Sequence, residues 1–247
     1  MSTKIAKILN QSVAAVMEAN TLEKFERAVV YADSMGQLQA ALNEEAMKPF
    51  MNLQGSKLGF VTDKDSQGGY KWNVVRDCLI EAVLRGVEPC GNHFNIIASN
   101  TYITKEGFKY LLDSIPNFRW MITNELPRIN KDKGSAAIVM NVKWKMGNGE
   151  WEEQQLDVAV RVNKAMGTDA VIGKAERKSR AWLYNNFTPD EILDGDAESV
   201  TIELKQERKS ETEEKAESAA SSLEEKMKSN KKEPAPPANE NGELNFS

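Results

Sequence analysis

Histidine, cysteine and long apolar runs are the scarcest features of this 247-residue sequence. His93 is the one histidine, which excludes a histidine-rich metal site and argues against histidine-based catalysis. Two cysteines, Cys78 and Cys90, are too few to cross-link a fold of this length, and a reducing, cytoplasmic compartment fits. No apolar run reaches about 18 residues and no signal-peptide core follows Met1, so neither a membrane span nor secretion is expected. A binding protein without a cofactor suits this composition better than an enzyme.

Positive charge is concentrated in the middle of a chain whose net charge is −5. Residues 101–182 hold 14 Lys/Arg against 10 Asp/Glu, whereas residues 183–204 hold six acids and no base. The same middle carries 11 of the 18 aromatic residues, between Phe94 and Phe187. Cations neutralise phosphates and aromatic faces stack on bases, so this composition suits a groove for single-stranded nucleic acid. An aromatic core beneath a solvated basic surface is the simpler explanation of the same numbers.

Hydrophobic patterning divides the chain into three regions. Residues 1–60 are predicted to form a helical N-terminal region, because apolar residues recur there at helical spacing. Residues 61–204 are predicted to form an α+β core. Residues 205–247 are rich in Glu, Lys, Ser, Ala, Asn and Pro, with no ring before Phe246. Such a segment buries too little apolar area to offset its conformational entropy, so a disordered charged tail is expected.

The first half of the core alternates between short helices and short strands. An apolar helical stripe over 74–83 is predicted to end at Gly86 in a left-handed cap. Two short strands follow, over 93–98 and 101–103. Thr104 is then the predicted N-cap of the next helix, and another strand is expected at Phe118 to Ile122.

A long β-hairpin is the clearest local feature. Residues 136–146 alternate between apolar and polar, the turn 147–149 is Gly-Asn-Gly, and alternation resumes after it. The register that closes this turn brings the apolar faces of both strands together and leaves a solvent-exposed, cationic and partly aromatic face. The predicted cross-strand pairs are Met140 with Leu156, Ile138 with Val158, Lys143 with Glu153, and Lys145 with Trp151.

A helix is predicted after the hairpin, with Thr168 as its N-cap and its end near Phe187. Its apolar residues fall in one arc of about 120°. Lys174, Arg177 and Lys178 fall in another arc, across the helix. If the apolar arc packs on the sheet, all three cations are expected to point outward.

Three segments carry short motifs that together resemble one known family. Residues 79–89, Leu-Ile-Glu-Ala-Val-Leu-Arg-Gly-Val-Glu-Pro, look like the Leu-Gly-Leu-x-Pro segment of the RecT/Red-beta class of phage single-strand annealing proteins. Residues 91–98, leading into 102–108, resemble the passage from strand to helix. Residues 173–181, Gly-Lys-Ala-Glu-Arg-Lys-Ser-Arg-Ala, are similar to the basic helix near the end of the core. The resemblance covers roughly residues 70–195.

We expect an α+β fold with a twisted antiparallel sheet packed with helices and a flanking basic helix. The resemblance implies ATP-independent binding and annealing of single-stranded DNA in phage-type homologous recombination. Proteins of this class assemble with themselves into rings or filaments, act beside an exonuclease and contact a host single-strand DNA-binding protein. Annealing needs no nucleotide, metal or nucleophile, but it needs phosphates held along a cationic groove with the base edges free.

The candidate DNA-binding residues are the cations and one ring of the basic middle. The leading phosphate contacts are Lys143, Lys145, Arg161, Lys174, Arg177 and Lys178, expected to converge on one groove. Candidates for a mobile clamp on a polar loop are Arg128, Lys131 and Lys133. Trp151 is the candidate for base stacking, and the resemblance adds Lys105.

Two alternatives to DNA annealing remain open at this stage. A magnesium-dependent nuclease would use Asp194 or Asp196, followed by Glu203 and Lys205, because paired carboxylates hold magnesium and a lysine polarises water. An adaptor protein without affinity for DNA would have the same cations as ordinary surface charges.

Overall fold

The chain alternates helices with antiparallel strands in a computed structural model that describes residues 2–130, 132, 134–163 and 165–188. The helices are α1 (Ser2–Glu18), α2 (Lys24–Ala41), α3 (Glu44–Met51), α4 (Trp72–Leu84), α5 (Lys105–Asp113) and α6 (Thr168–Phe187). The strands are β1 (Phe94–Ile97), β2 (Asn100–Ile103), β3 (Phe118–Asn124), β4 (Arg128–Asn130), β5 (Ser135–Met146) and β6 (Glu152–Arg161). The predicted α+β class is confirmed. The tail predicted for residues 205–247 lies outside the described residues.

One hydrophobic core connects the first helices to the sheet. It runs through the described residues from Ile5 on α1 to Tyr184 on α6. The centre of this core is α4, in which seven of 13 residues are buried, Leu79 fully so. Its polar residues lie on one side and are not buried, as expected for an amphipathic helix that packs on a core. These residues are Asn73, Arg76, Asp77 and Glu81. Within the described residues, no helix is both long and apolar enough to cross a bilayer.

Gly86 ends α4 as the sequence predicts. Its φ of +83° is left-handed, a conformation that glycine adopts without the steric cost of a Cβ. A Cβ here would also require the flexible end of the Met17 side chain on α1 to move. The left-handed backbone is therefore the main reason for glycine at the end of α4.

The β1–β2 hairpin turns through two residues with positive φ, Ala98 at 51° and Ser99 at 64°. Side chains from a preceding loop bind the exposed backbone amides of this turn. Asp63 Oδ2 accepts from the Ala98 N–H at 3.1 Å, and the Tyr70 hydroxyl oxygen accepts from the Ser99 N–H at 3.0 Å. Tyr70 in turn donates to Asp63 Oδ1 at 2.8 Å. These contacts hold a turn that would otherwise favour Asn-Gly.

The hydrogen bonds from Tyr70 and Ala98 hold the pKa of Asp63 below its ordinary value, the one from Tyr70 most strongly. Both donors favour the charged carboxylate over the protonated acid. The Asp63 carboxylate therefore stabilises the β1–β2 turn in its ionised form.

Thr104 is the N-cap of α5, as predicted. Its Oγ1 accepts from the Gly107 N–H at 3.1 Å and donates to the Asn92 carbonyl at 2.6 Å. A side chain at Gly107 would overlap the His93 carbonyl oxygen, so the first turn of α5 requires glycine to lie against β1. The cap and the close approach together fix α5 beside the β1–β2 hairpin.

The larger sheet is organised around β5. β3 and β4 follow one another along one edge of β5, and β6 pairs with the other edge. The hairpin register predicted from the sequence is confirmed, with Met140 opposite Leu156 and Lys143 opposite Glu153. Helices α5 and α6 pack against the sheet face that carries the even-numbered residues of β5 and β6, such as Ile138. We call this the helix face.

The start of α6 differs slightly from the prediction. Gly167 occupies the N-cap position without a side-chain cap, and Thr168 is the first helical residue. Asp169 in the first turn supplies negative charge at the positive end of the helix dipole instead. The predicted apolar arc is buried at Val171, Ala175 and Leu183.

Candidate nucleic-acid interface

The second face of the larger sheet is exposed, and we call it the open face. It carries the odd-numbered residues of β5 and β6, because side chains alternate between faces along a strand. Directly paired residues of antiparallel strands share a face, so the register also places odd-numbered residues of β3 and even-numbered residues of β4 here. The cations of the open face are Arg119, Arg128, Lys143, Lys145 and Arg161.

One end of the open face combines cations with an aromatic ring. Arg119 on β3 pairs directly with Lys145 on β5. The Lys145 ammonium lies over the Trp151 ring, 5.3 Å from its centroid, just before β6 begins. Trp151 is 51% exposed, so its indole is accessible for stacking. Lys145 and Trp151 are therefore neighbours, as the hairpin register predicts.

Two cations of the open face have carboxylate partners on β6. Lys143 Nζ lies 2.8 Å from Glu153 Oε2, and an Arg128 nitrogen lies 3.5 Å from Asp157 Oδ1. All four side chains are more than a third exposed, and such surface pairs contribute little net free energy. A phosphate group can therefore replace these carboxylates at small cost.

Lys174 and Lys178 reach the edge of the sheet, not the open face itself. Their ammonium groups donate to the carbonyls of Arg161 at 3.4 Å and Ala159 at 3.0 Å. The Val162 N–H donates to the Gly134 carbonyl, so the backbone N–H and C=O groups of even-numbered β6 residues point toward β5. The backbone carbonyls of Ala159 and Arg161 therefore point away from β5. The two lysines thus line the outer edge of β6, beside Arg161.

The expectation that Arg177 points outward is wrong. Its side chain is 5% exposed, and its Nε donates to the Ile103 carbonyl at 2.7 Å. The guanidinium lies 3.6 Å from the Tyr102 ring centroid and 5.7 Å from that of Phe108. α6 packs on the sheet with one side and on α5 with another, and Arg177 lies on that second side, whereas Lys174 and Lys178 are only partly buried.

Lys105 lies on the helix side of the sheet, apart from the open face. Its ammonium group is 3.4 Å from Glu176 on α6, and its carbonyl accepts from Arg180 at 2.7 Å. These contacts join the first turn of α5 to α6. The structure therefore does not bring Lys105 together with the cations of β5.

Several predicted residues lie outside the part of the chain that is described. Lys131 and Lys133 of the predicted clamp are among them, although Arg128 at the base of that loop is on β4. The nuclease residues Asp194, Asp196, Glu203 and Lys205 are also outside it.

Sequence analysis misses Arg119 as a member of the open face. The alternation of Phe118, Trp120 and Ile122 does indicate that Arg119 points away from the core. This alternation does not show that β3 pairs with β5, because the two segments are about twenty residues apart with no tight turn between them. The same pairing adds the half-exposed Met121 next to Lys143.

The structure thus groups the predicted residues into an exposed face, a neighbouring edge, one buried cation and one distant lysine. No protein-family model matches the chain, and comparisons with curated proteins and with solved structures return no match.

Proposed function

We propose that this protein binds single-stranded DNA across the open face and anneals it to a complementary strand without a nucleotide cofactor. The observation that carries the proposal is the clustering of cations from β3, β4, β5 and β6 on one exposed sheet face, with the Trp151 ring at its end. Exposed basic surfaces with an accessible ring bind the backbone through charge and the bases through stacking.

The length of the open face suits a short stretch of DNA. β5 has 12 residues, which at about 3.3 Å per residue gives roughly 36–40 Å. A strand in a duplex advances about 3.4 Å per nucleotide, so about ten nucleotides at duplex spacing fit along β5. The two lysines at the outer edge of β6, beside Arg161, widen this surface, so a bound strand continues across that edge.

Annealing follows from the type of contact that the open face offers. Lysine and arginine hold phosphates, which position a strand without reading its sequence. Base edges then remain free to pair with a second strand. The step breaks no covalent bond, so the residues need only bind, align and release the backbone.

The resemblance of residues 79–108 and 173–181 to the RecT/Red-beta class supports the same function. On that basis we propose action in phage-type recombination in the cytoplasm of a bacterial or infected cell. Assembly into rings or filaments, an exonuclease partner and a host single-strand DNA-binding partner belong to this proposal.

The proposal predicts that replacing two cations of the open face weakens DNA binding and its dependence on salt. We expect Lys143→Gln with Lys145→Gln to lower affinity for a labelled single strand and to reduce the salt slope by about 1.4, since each phosphate contact contributes about 0.7. Fluorescence anisotropy between about 50 and 200 mM salt measures both. Annealing of complementary oligonucleotides, without ATP, is followed in parallel.

The matched control is Lys48→Gln with Lys109→Gln, which removes the same charge from exposed lysines of α3 and α5. This control is expected to change binding little. Equal losses in both double variants would indicate a nonspecific charge effect and would count against the open face.

A further inference from the structure

We propose that a cavity among the helices, away from the open face, is a binding site for a small amphiphilic amine. The cavity has a volume of about 480 Å³ and lies between α1, α3, the segment that follows α4, and α5. This volume is within the range of small-molecule sites. The site is independent of the proposed DNA-binding function, because none of its residues belongs to the sheet.

The walls of the cavity are apolar. Ile5, Leu9 and Val13 of α1 form one side, at the i, i+4, i+8 spacing that places them on one face of the helix. Phe50 of α3 and Val87 after α4 form others. Such walls favour a hydrocarbon or aromatic body, because burial of apolar surface drives its transfer from water.

One end of the cavity is polar and is organised around the Glu88 carboxylate. The Tyr110 hydroxyl donates to Glu88 Oε1 at 3.0 Å, and the Cys90 thiol lies 3.5 Å from Oε2 as a weak donor. The Glu88 N–H donates to His93 Nδ1 at 3.4 Å, and the His93 ring stacks on Tyr110 at 4.6 Å. These contacts hold the carboxylate of Glu88, an exposed residue that lines the cavity.

The supporting groups remain neutral around neutral pH. Burial raises the pKa of Tyr110 and of Cys90 above their ordinary values, and hydrogen bonding to Glu88 acts in the same direction. Burial also lowers the pKa of His93. Tyrosine and cysteine therefore stay protonated as donors, and histidine stays uncharged.

The charge of this end selects the class of ligand. Glu88 is the one acidic residue among those that line the cavity, and none of them is basic. A primary amine at the end of an apolar body places its positive charge against the carboxylate. A carboxylate or phosphate at the same position would be repelled, which separates this site from the phosphate-binding surface.

Isothermal titration calorimetry of the full chain with three probes of equal length tests the proposal. The probes are octylamine, 1-octanol and octanoate, each below the concentration at which it aggregates. We expect saturable binding of one octylamine per chain, about fivefold weaker binding of 1-octanol, and weaker binding still of octanoate. Absence of saturable octylamine binding, or equal binding of octanoate, would overturn the proposal.

Two variants locate the site. Glu88→Gln is expected to remove the preference for octylamine over 1-octanol, whereas Glu26→Gln, on the exposed side of α2, should keep it. Val13→Trp is expected to fill the cavity and abolish binding of both probes. A circular dichroism melt of each variant establishes that it is folded. If folded Val13→Trp binds octylamine normally, or folded Glu88→Gln keeps the preference, the assignment is wrong.

Discussion

Arg177 illustrates at the residue scale how a cation can be structural in a basic helix. Its guanidinium lies between the Tyr102 and Phe108 rings and donates to Ile103 of β2, so it links α6 to α5 and the smaller hairpin. Lys178, the next residue, reaches the β6 edge instead. Adjacent cations on one helix thus have different environments. A double substitution of this pair would mix loss of stability with loss of DNA contacts.

Replacement of Arg177 is therefore predicted to affect folding more than DNA binding. We expect Arg177→Ala to lower the free energy of unfolding by about 2–3 kcal/mol, because the Ile103 carbonyl loses its donor and the two rings lose a packed neighbour. Urea denaturation measures this change. Lys178→Ala is the control and should cost well under half as much, since its ammonium is exposed. An unchanged Arg177→Ala midpoint would contradict the structural role.

Asp63 gives the β1–β2 turn a predicted dependence on pH. Its pKa is lowered in the folded protein by hydrogen bonds from Tyr70 and Ala98. The stabilisation is therefore fully present above the ordinary aspartate pKa, and it is lost as pH falls through the lower folded value.

The difference in unfolding free energy between wild type and Asp63→Asn tests this dependence. It is expected to be largest at about pH 6 and to be smaller at about pH 3, because the stabilisation by the carboxylate decreases below the ordinary aspartate pKa and is lost fully only below the lowered folded pKa. Urea titrations at the two pH values measure it. A difference that stays constant or grows on acidification would show that Asp63 does not stabilise the turn as a carboxylate.

At the scale of elements, the β5–β6 hairpin is the part that sequence predicts most fully. Strict alternation, a Gly-Asn-Gly turn and coincident apolar faces specify one register, and Met140 does pair with Leu156. The position of β3 could not be predicted in the same way, because no tight turn links this strand to its partner in β5. Arg119 was missed for that reason. The burial of Arg177 on α6 could not be predicted either, because it depends on contacts with α5 and β2, which are distant in the sequence.

Trp151 provides a test of the open face at this scale. We expect Trp151→Ala to weaken single-strand binding about tenfold, because stacking of one base on a ring contributes about 1–3 kcal/mol. Trp151→Phe should retain part of the affinity. Phe25→Ala is the matched control, since Phe25 is 89% exposed on α2, away from the sheet. Anisotropy titrations compare the three variants, and an equal loss in Phe25→Ala would argue against specific stacking.

At the scale of the whole molecule, the predicted cations form a surface and an edge and not one groove. Lys143, Lys145 and Arg161 share the open face, while Lys174 and Lys178 line the adjacent edge of β6. The concentration of positive charge in residues 101–182 identifies these cations as candidates. The sequence does not show which surface of the molecule each cation occupies, because that depends on how α6 packs against the sheet and α5. A bound strand is expected to cross the open face and continue along that edge.

Lysine acetylation footprinting of the full chain, with and without a saturating single strand, tests the central claim most directly. The open face and the β6 edge should be covered by DNA, whereas Lys109 on α5 and Lys48 on α3 should not. The account predicts that DNA protects Lys143, Lys145, Lys174 and Lys178 from modification while Lys48 and Lys109 react as before. Unprotected lysines on β5, or protection confined to Lys105 and the helix side, would contradict it.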